Sequence, residues 1–159
     1  MLSCIGCDQA AKALARESLT QIGSISLLGG AVRFQYAENR GAFLSLGSSL
    51  PEHLRSLLFV GGTSLIVAGL LVTMARGRHS PSGSLGLAFL TGGALGNLID
   101  RVAYDGTVVD FVSIGLGAFR TGIFNLADVA ITAGVLLVAL QTGHQPDTDP
   151  VETAETPQT

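Results

Sequence analysis

The sequence predicts a small integral membrane protein built from α-helices, and three observations support this fold class. Only 13% of the 159 residues are charged, whereas soluble domains carry about 25%. Mean hydropathy is +0.49, and long apolar runs continue without a charge. Glycine is abundant, with 21 residues, which suits close helix packing in lipid. The sequence has no basic stripe with interleaved aromatic residues, so no nucleic-acid partner is expected.

Three apolar runs predict helices that cross the membrane. The clearest covers residues 56–74, a shorter run rich in small residues covers 84–99, and the last covers 123–142. A crossing helix needs about 20 residues, but the apolar stretch before Asp8 has only seven. The N-terminal segment is therefore expected to form either no membrane helix or an incomplete first helix.

The segments between these runs predict an orientation. Residues 76–83 form a short basic loop, which the positive-inside rule places in the cytoplasm. Residues 17–50 and 102–122 then share the opposite face of the membrane. Polar and apolar residues alternate around Gly29 and Gly30, which predicts a short β-hairpin on that face.

Residues 1–142 are expected to form a single membrane domain. Residues 143–159 are rich in Pro, Thr, Glu and Asp, with no apolar periodicity. This composition predicts a disordered acidic tail, because it cannot bury enough apolar surface to fold. The net charge of −3 comes mostly from the tail, so it indicates no particular partner.

Two aspartates stand out because their neighbours are apolar. Asp110 lies in a strand-like stretch, residues 107–112, and Asp128 precedes an uncharged run that continues to Leu140. Carboxylates in such surroundings are rare and usually face a cavity or a partner. A single aspartate of this kind could equally cap a helix or pair with an arginine. Two of them in so small a protein favour a shared site.

The predicted orientation gathers the unusual polar residues on one face, opposite the basic loop. A random scatter of polar residues would not produce this grouping. They are Asn39, Asn97, Asp100, Arg101, Asp110, Asn125 and Asp128.

Neither a metal nor a cofactor is expected. Cys4 and Cys7 form a CxxC pair, but no second pair or βαβ context accompanies it. They are interpreted as small apolar residues of a helix. The three histidines, His53, His79 and His144, are not adjacent to either aspartate in the sequence.

Five blocks, in this order, resemble the motifs of bacterial lipoprotein signal peptidase, also called signal peptidase II. The resemblance runs from about residue 8 to residue 140. One block would be a weak signal, but five in the family's order are specific. The blocks are Asp8-Gln9-Xaa-Xaa-Lys12, Glu38-Asn39-Xaa-Gly41-Ala42-Phe43, Gly92 through Arg101, Val108-Val109-Asp110-Phe111 and Phe124-Asn125-Leu126-Ala127-Asp128.

The resemblance implies a bundle of four transmembrane helices with a small extracytoplasmic β-cradle. The first helix would be truncated here, since the family has a full apolar helix ahead of the first block. It also implies a multi-pass enzyme of the bacterial cytoplasmic (inner) membrane with its active site on the extracytoplasmic face. That enzyme removes the signal peptide from diacylglyceryl-modified prolipoproteins by cleaving just before the lipidated cysteine. Membrane lipid is a further implied partner, and a monomer is expected.

The resemblance assigns roles to particular residues. Asp110 and Asp128 match the catalytic pair of an aspartic protease that needs no cofactor. Asp8 and Lys12 match a pair at the outer end of the first helix. The other positions, which match residues that line or support the substrate pocket, are Asn39, Gly41, Asn97, Asp100, Arg101, Asn125 and Ala127.

The residue types suit this chemistry better than they suit two other functions, transport and a structural scaffold. Two close carboxylates cannot both ionise cheaply, so one keeps a proton while the other activates water. A small proton- or ion-coupled transporter would place acids near the membrane midplane and often has internal repeats. Here the acids lie at the ends of the apolar runs, and no repeat is found. A structural scaffold would need no paired acids.

Overall fold

The computed structural model describes residues 1–41, 50–77, 79–116 and 119–142. These residues form four helices and one four-stranded antiparallel sheet, so the mostly helical class is confirmed at this level. The predicted tail, 143–159, lies outside the described residues. The helices are α1 Leu2–Ile22, α2 Glu52–Arg76, α3 Pro81–Ala103 and α4 Leu126–Thr142. The strands are β1 Ser24–Leu27, β2 Val32–Asn39, β3 Val108–Leu116 and β4 Phe119–Arg120.

Helix α1 continues beyond Lys12 to Ile22, and the match of Asp8 and Lys12 to the outer end of the first helix stays a prediction. Asp8 lies in its first half and Lys12 at its midpoint, and the helix ends at Gly23, whose φ of 87° suits a residue without a side chain. The additional turns are stabilised by tertiary packing, because Leu19 lies in a buried cluster with Phe111 of β3. This contact could not be read from the local sequence.

Two of the helices, α2 and α3, are long and apolar enough to cross a membrane. Helix α4 is apolar but shorter, and α1 carries four charged residues. The apolar surface of α2 points outward: Leu65 is 77% exposed and Ile66 62%. Such a surface suits contact with lipid tails. The count of four spans stays a prediction.

Helices α3 and α4 approach each other closely because glycines line their contact. A Cβ atom at Gly93 would lie 2.5 Å from the carbonyl oxygen of Ala127. A Cβ atom at Gly134 would lie 2.7 Å from the carbonyl oxygen of Gly86. Since no larger residue fits without displacing backbone, these glycines set the distance between the helices.

The sheet has the order β1-β2-β3-β4, and the predicted hairpin is confirmed as β1 and β2. Its turn, Leu28–Gly30, contains Gly29 at φ 65° and Gly30 at φ 93°, which are favourable for glycine. Strand β3 confirms the predicted stretch 107–112 and continues beyond it.

The sheet positions the polar residues of β2, β3 and α4 beside one another. In the β2–β3 ladder, Asp110 lies opposite Ala37, two residues from Asn39. The backbone of Phe124 pairs with that of Val112, with N···O distances of 2.8 and 2.9 Å. This pairing brings the start of α4 against β3 at Asp110.

Candidate active site

The first turn of α4 is closed by two side chains that bond to each other's backbone. Asn125 Oδ1 accepts from the Asp128 N–H at 2.9 Å, and Asp128 Oδ2 accepts from the Asn125 N–H at 3.2 Å. This reciprocal arrangement is a capping box. Asp128 therefore caps its helix, as one interpretation of the sequence held, and the cap also fixes where its carboxylate lies.

Asn125 connects the two aspartates. Its Oδ1 is committed to the Asp128 N–H, so its amide nitrogen faces the other way and donates to Asp110 Oδ1 at 2.7 Å. Asn125 is buried at 1% exposure, which leaves its amide no competing water. One rigid side chain therefore holds the Asp110 carboxylate in register with the helix turn that carries Asp128.

Asp110 is almost fully buried, at 3% exposure, and both of its oxygens accept hydrogen bonds. Asn39 Nδ2 donates to Oδ2 at 3.0 Å, opposite the bond from Asn125. Burial raises the pKa of Asp110 from 3.8 to about 6, and the charge of Asp128 adds to the rise. The amides of Asn39 and Asn125 and the charge of Lys12 oppose it.

Asn97 of α3 links the second aspartate to a buried lysine. Its Nδ2 donates to Asp128 Oδ1 at 2.9 Å, while its Oδ1 accepts from Lys12 Nζ at 3.0 Å and from Asn125 Nδ2 at 3.1 Å. Asn97 is 7% exposed. A single amide therefore spans from α1 to the candidate dyad.

Lys12 is the centre of a buried ion triad. Its ammonium lies 2.7 Å from Asp8 Oδ2 and 3.0 Å from Asp100 Oδ2. The predicted pairing of Asp8 with Lys12, four residues apart on one helix, is confirmed. Among the described residues, Asp100 forms its salt bridge with Lys12 and not with the adjacent Arg101.

The two carboxylates of the triad also bind backbone amides of other elements. Asp8 Oδ1 accepts from the Ala127 N–H at 2.9 Å, and Asp100 Oδ2 accepts from the Val109 N–H at 3.0 Å. Asp8 thereby anchors α1 to the start of α4, and Asp100 anchors α3 to the start of β3. Ala127 acts through its backbone, and its methyl group is fully buried.

Arg101 reaches the site through backbone carbonyls. Its Nη2 donates to Gly41 O at 3.2 Å and its Nη1 to Asn97 O at 3.4 Å. The Gly41 N–H in turn donates to Asn39 Oδ1 at 3.0 Å. Because that bond turns the Asn39 amide toward Asp110, Arg101 and Gly41 lie one step behind the dyad.

Gln9 is a participant that was not named among the site residues. Its Nε2 donates to Asp100 Oδ1 at 2.8 Å and to Gly96 O at 3.1 Å. The signal was its place in the block Asp8-Gln9-Xaa-Xaa-Lys12, directly beside an acid. An amide next to a buried carboxylate is a ready hydrogen-bond donor.

The accessible side of the site is apolar. Asp128 is half-buried and borders a cavity of about 390 Å³, lined with Phe124, Val129 and Leu136 among others. Asp110 lies deeper. A ligand that enters this cavity therefore reaches Asp128 from an apolar environment.

No group of three or more His, Cys, Asp or Glu side chains is arranged to hold a metal ion within the described ranges. Cys4 and Cys7 are free thiols on α1, half-buried and exposed respectively. The dyad is instead surrounded by neutral amide donors.

The structure brings the residues assigned to the candidate site into one hydrogen-bonded network. Within it, two carboxylates share one asparagine, and the deeper one has a raised pKa. This arrangement can hold one proton between two acids and can therefore supply a general base and a general acid together.

A sequence model of the family signal peptidase (SPase) II matches residues 1–143. The chain belongs to the signal peptidase II family. The chain is 37% identical over 133 residues to the lipoprotein signal peptidase of Syntrophomonas wolfei subsp. wolfei, covering 84% of this chain and 83% of the relative. It is 41% identical over 133 residues to the lipoprotein signal peptidase of Pelotomaculum thermopropionicum, covering 83% and 81%.

Two solved structures of a bacterial membrane enzyme share the fold of this chain. A bacterial membrane enzyme solved by the in meso method superposes with a TM-score of 0.80 at 24% identity, covering 94% of this chain and 90% of that one. A second such structure gives 0.79 at 25% identity, covering 91% and 90%. The first shows similarity of fold alone.

Family membership confirms the prediction drawn from the five motif blocks. It confirms an aspartic protease that processes lipoproteins, and it does not support the alternative of a transporter. The membrane character follows from the family and the apolar helices together. The catalytic roles of individual residues stay predictions.

Proposed function

We propose that this protein is a membrane aspartic endopeptidase that removes the signal peptide from diacylglyceryl-modified prolipoproteins, cleaving just before the lipidated cysteine. Membership of the signal peptidase II family supports the substrate class. One observation carries the mechanism: Asn125 bonds Asp110 through its amide nitrogen and the Asp128 backbone through its oxygen. Two carboxylates held in register in this way can supply the general acid and the general base of an aspartic protease.

The two aspartates have different roles in proton transfer because one is buried more deeply than the other. Asp110 is the deeper group, with a pKa of about 6, so the shared proton resides mainly on it. Asp128, which borders the apolar cavity, then accepts a proton from the attacking water. Protonated Asp110 polarises the scissile carbonyl and later helps to protonate the leaving amine. Titration remains a property of the pair.

The remaining site residues support this dyad. Asn39, Asn97 and Asn125 orient the carboxylates by direct hydrogen bonds. The others act behind them through the ion triad, the cap of α4 and the Gly41 carbonyl. They are Asp8, Lys12, Asp100, Arg101, Ala127 and Gly41.

In our proposal all four helices lie in the bacterial cytoplasmic (inner) membrane, and the sheet forms a cradle on the extracytoplasmic face. The dyad lies where β3 meets α4, on the same side of α2 as β1 and β2. Residues 1–142 would act as one protease domain, as a monomer surrounded by lipid, with residues 143–159 as a disordered tail. The basic residues Arg76 and His79 at the opposite end of α2 support this orientation.

The proposed activity is tested with one prolipoprotein in two forms, with and without the diacylglyceryl group on its cysteine. Purified protein in detergent should cleave the lipidated form, and mass spectrometry should show cysteine as the new N-terminus. The unmodified form is the matched control and should be cleaved far more slowly. Cleavage of both forms at equal rates would remove lipid recognition from the proposal, and cleavage of neither would refute the activity.

The orientation is tested by thiol labelling in sealed cells, after Cys4 and Cys7 have been replaced. Ser24→Cys on β1 should react with an impermeant reagent from outside, and His79→Cys only after lysis. Both residues are exposed, so accessibility to water is not limiting. Labelling of both from the same side would contradict an odd number of crossings between them.

A further inference from the structure

Lys12 is a buried cation whose donors are all used, but it contacts neither aspartate of the dyad directly. It is 3% exposed, and its ammonium lies close to three oxygen acceptors: Asp8 Oδ2 at 2.7 Å, Asp100 Oδ2 at 3.0 Å and Asn97 Oδ1 at 3.0 Å. An ammonium has three protons, so each contact takes one. The first two contacts form the ion triad. The third contact, with Asn97 Oδ1, connects Lys12 to the dyad because Asn97 also bonds Asp128.

The bond from Lys12 determines which way the Asn97 amide points. An ammonium can donate but cannot accept, so Asn97 must turn its oxygen toward Lys12. Its NH₂ group then faces Asp128 Oδ1, to which it donates at 2.9 Å. With the amide reversed, an oxygen would face the carboxylate, and two acceptors would repel each other without a proton between them.

A second fixed amide completes the pattern. The Asp128 N–H donates to Asn125 Oδ1, which turns the Asn125 NH₂ toward Asp110 Oδ1 and Asn97 Oδ1. Every amide at the dyad therefore presents donors to the carboxylates. Within this series of hydrogen bonds Lys12 is the first donor. The direction of its bond is fixed because an ammonium can only donate.

The charged residues around this series of hydrogen bonds lie on three helices and one strand. Asp8 lies on α1 with Lys12, and Asp100 lies on α3. Arg101, also on α3, interacts electrostatically with Asp100, Asp110 and Asp128. The charge of Lys12 also acts on Asp110 of β3, where it favours the ionised carboxyl. Lys12 thus acts on the dyad by orientation and by charge.

We propose that Lys12 is a positioning residue for the proteolytic reaction: it fixes the Asn97 amide so that Asn97 donates to Asp128. The proposal rests on the proposed protease function. It assigns to the triad a second task besides holding α1 against α3. The substrate is not touched by Lys12 itself.

The first test replaces Lys12→Met and measures kcat, KM and their pH dependence on folded protein purified in detergent. We expect kcat to fall at least tenfold while KM changes less than threefold, because the substrate pocket is intact. Losing the cation raises the pKa of Asp110, so the fall of activity on the alkaline side should move to higher pH. If Lys12 only stabilised the packing of the helices, Lys12→Met would lower the yield and Tm. It would change neither kcat nor the alkaline limb of the pH profile.

Two further variants keep the test decisive if Lys12→Met folds poorly. The pair Asp8→Asn with Lys12→Met preserves the net charge of the triad, so kcat should stay low while the alkaline limb returns toward the parental pH. Asn97→Asp can still accept from Lys12 and Asn125 but can no longer donate to Asp128. It should fold and should also lose at least tenfold in kcat.

Arg16→Met is the matched control, since Arg16 is a basic residue of the same helix that bonds Tyr36 and stacks on Tyr104 instead. It should lower Tm without moving the pH profile. Parental kcat and an unchanged alkaline limb in Lys12→Met, or parental kcat in Asn97→Asp, would overturn the role of Lys12. Absence of cleavage by the parental protein would instead refute the proposed function.

Discussion

The molecule contains two pairs of aspartates that are held in different ways. Asp8 and Asp100 share the ammonium of Lys12, and each also accepts a backbone N–H. Asp110 and Asp128 accept from the side-chain amides of asparagines, and among the described residues neither forms a salt bridge. The pairs are neighbours, joined through Asn97.

The difference shows how one buried network can contain a structural part and a reactive part. A carboxylate paired with a cation and a backbone amide depends on both partners, and removing one of them leaves an uncompensated buried charge. A carboxylate held by neutral amides near a second carboxylate remains able to exchange a proton. The cation in this network therefore stabilises the fold at the first pair and leaves the second pair titratable.

The largest expected effect is on cleavage activity, and it distinguishes the dyad from the aspartates of the ion triad. Asp110→Asn and Asp128→Asn should each reduce cleavage by roughly a thousandfold or more, because neither variant retains both a base and an acid. Protein yield and membrane insertion should stay close to parental. The measurement is cleavage of a diacylglyceryl-modified prolipoprotein by purified protein. Substantial turnover by either variant would contradict the aspartic mechanism.

The second effect should appear in stability. Asp100→Ala removes one anion from the triad, leaves the Val109 N–H without its side-chain acceptor and removes one acceptor of the Gln9 amide. We expect a loss of about 3 kcal/mol in the free energy of unfolding, typical of breaking a buried ion pair. Thermal unfolding in detergent measures it. Glu17→Ala on the same helix as Lys12, but outside the triad, is the control and should change stability little.

The residues just behind the dyad should have intermediate effects. Asn39→Ala and Arg101→Ala should each lower kcat/KM by about tenfold or more, equivalent to about 1.4 kcal/mol for one good hydrogen bond. Asn39→Ala should insert normally, whereas Arg101→Ala can also weaken the anchoring of α3. Parental rates in both variants, with normal insertion, would remove these two residues from the site.

The pH profile sharpens the contrast between the pairs. The proton held by Asp110 is present below its pKa of about 6 and is lost as the pH rises through that value. Since the mechanism needs that proton, kcat/KM should fall on the alkaline side with an apparent pKa near this value in the free enzyme. Activity that instead rises through this range would reverse the assignment of acid and base.

Metal removal should have the smallest effect. The dyad is held by amides, and the residues proposed to react require no Lewis acid. Chelators such as EDTA should therefore leave the cleavage rate unchanged within about twofold. A loss of activity that added Zn²⁺ restores would show that the carboxylates act as metal ligands.

Much of the fold could be predicted from the sequence because hydropathy and turn chemistry are local. The uncharged run at 56–74 marks α2, and the pair Gly29 and Gly30 marks the turn between β1 and β2. The length of α1 could not be predicted, since its later turns depend on contact between Leu19 and the distant Phe111. Local pattern carries no information about such a partner.

By itself, the sequence determined the family and the chemical groups of the site, because five motifs carry these residue types in a fixed order. Only the tertiary structure decided which of those groups contact one another. It joined Lys12 to Asn97 across 85 residues and Asp8 to Ala127 across 119, and it buried Asp110 more deeply than Asp128. The physical reason is that hydrogen-bond direction and desolvation depend on which groups meet in space. Chain order specifies the groups, and packing specifies which of them meet.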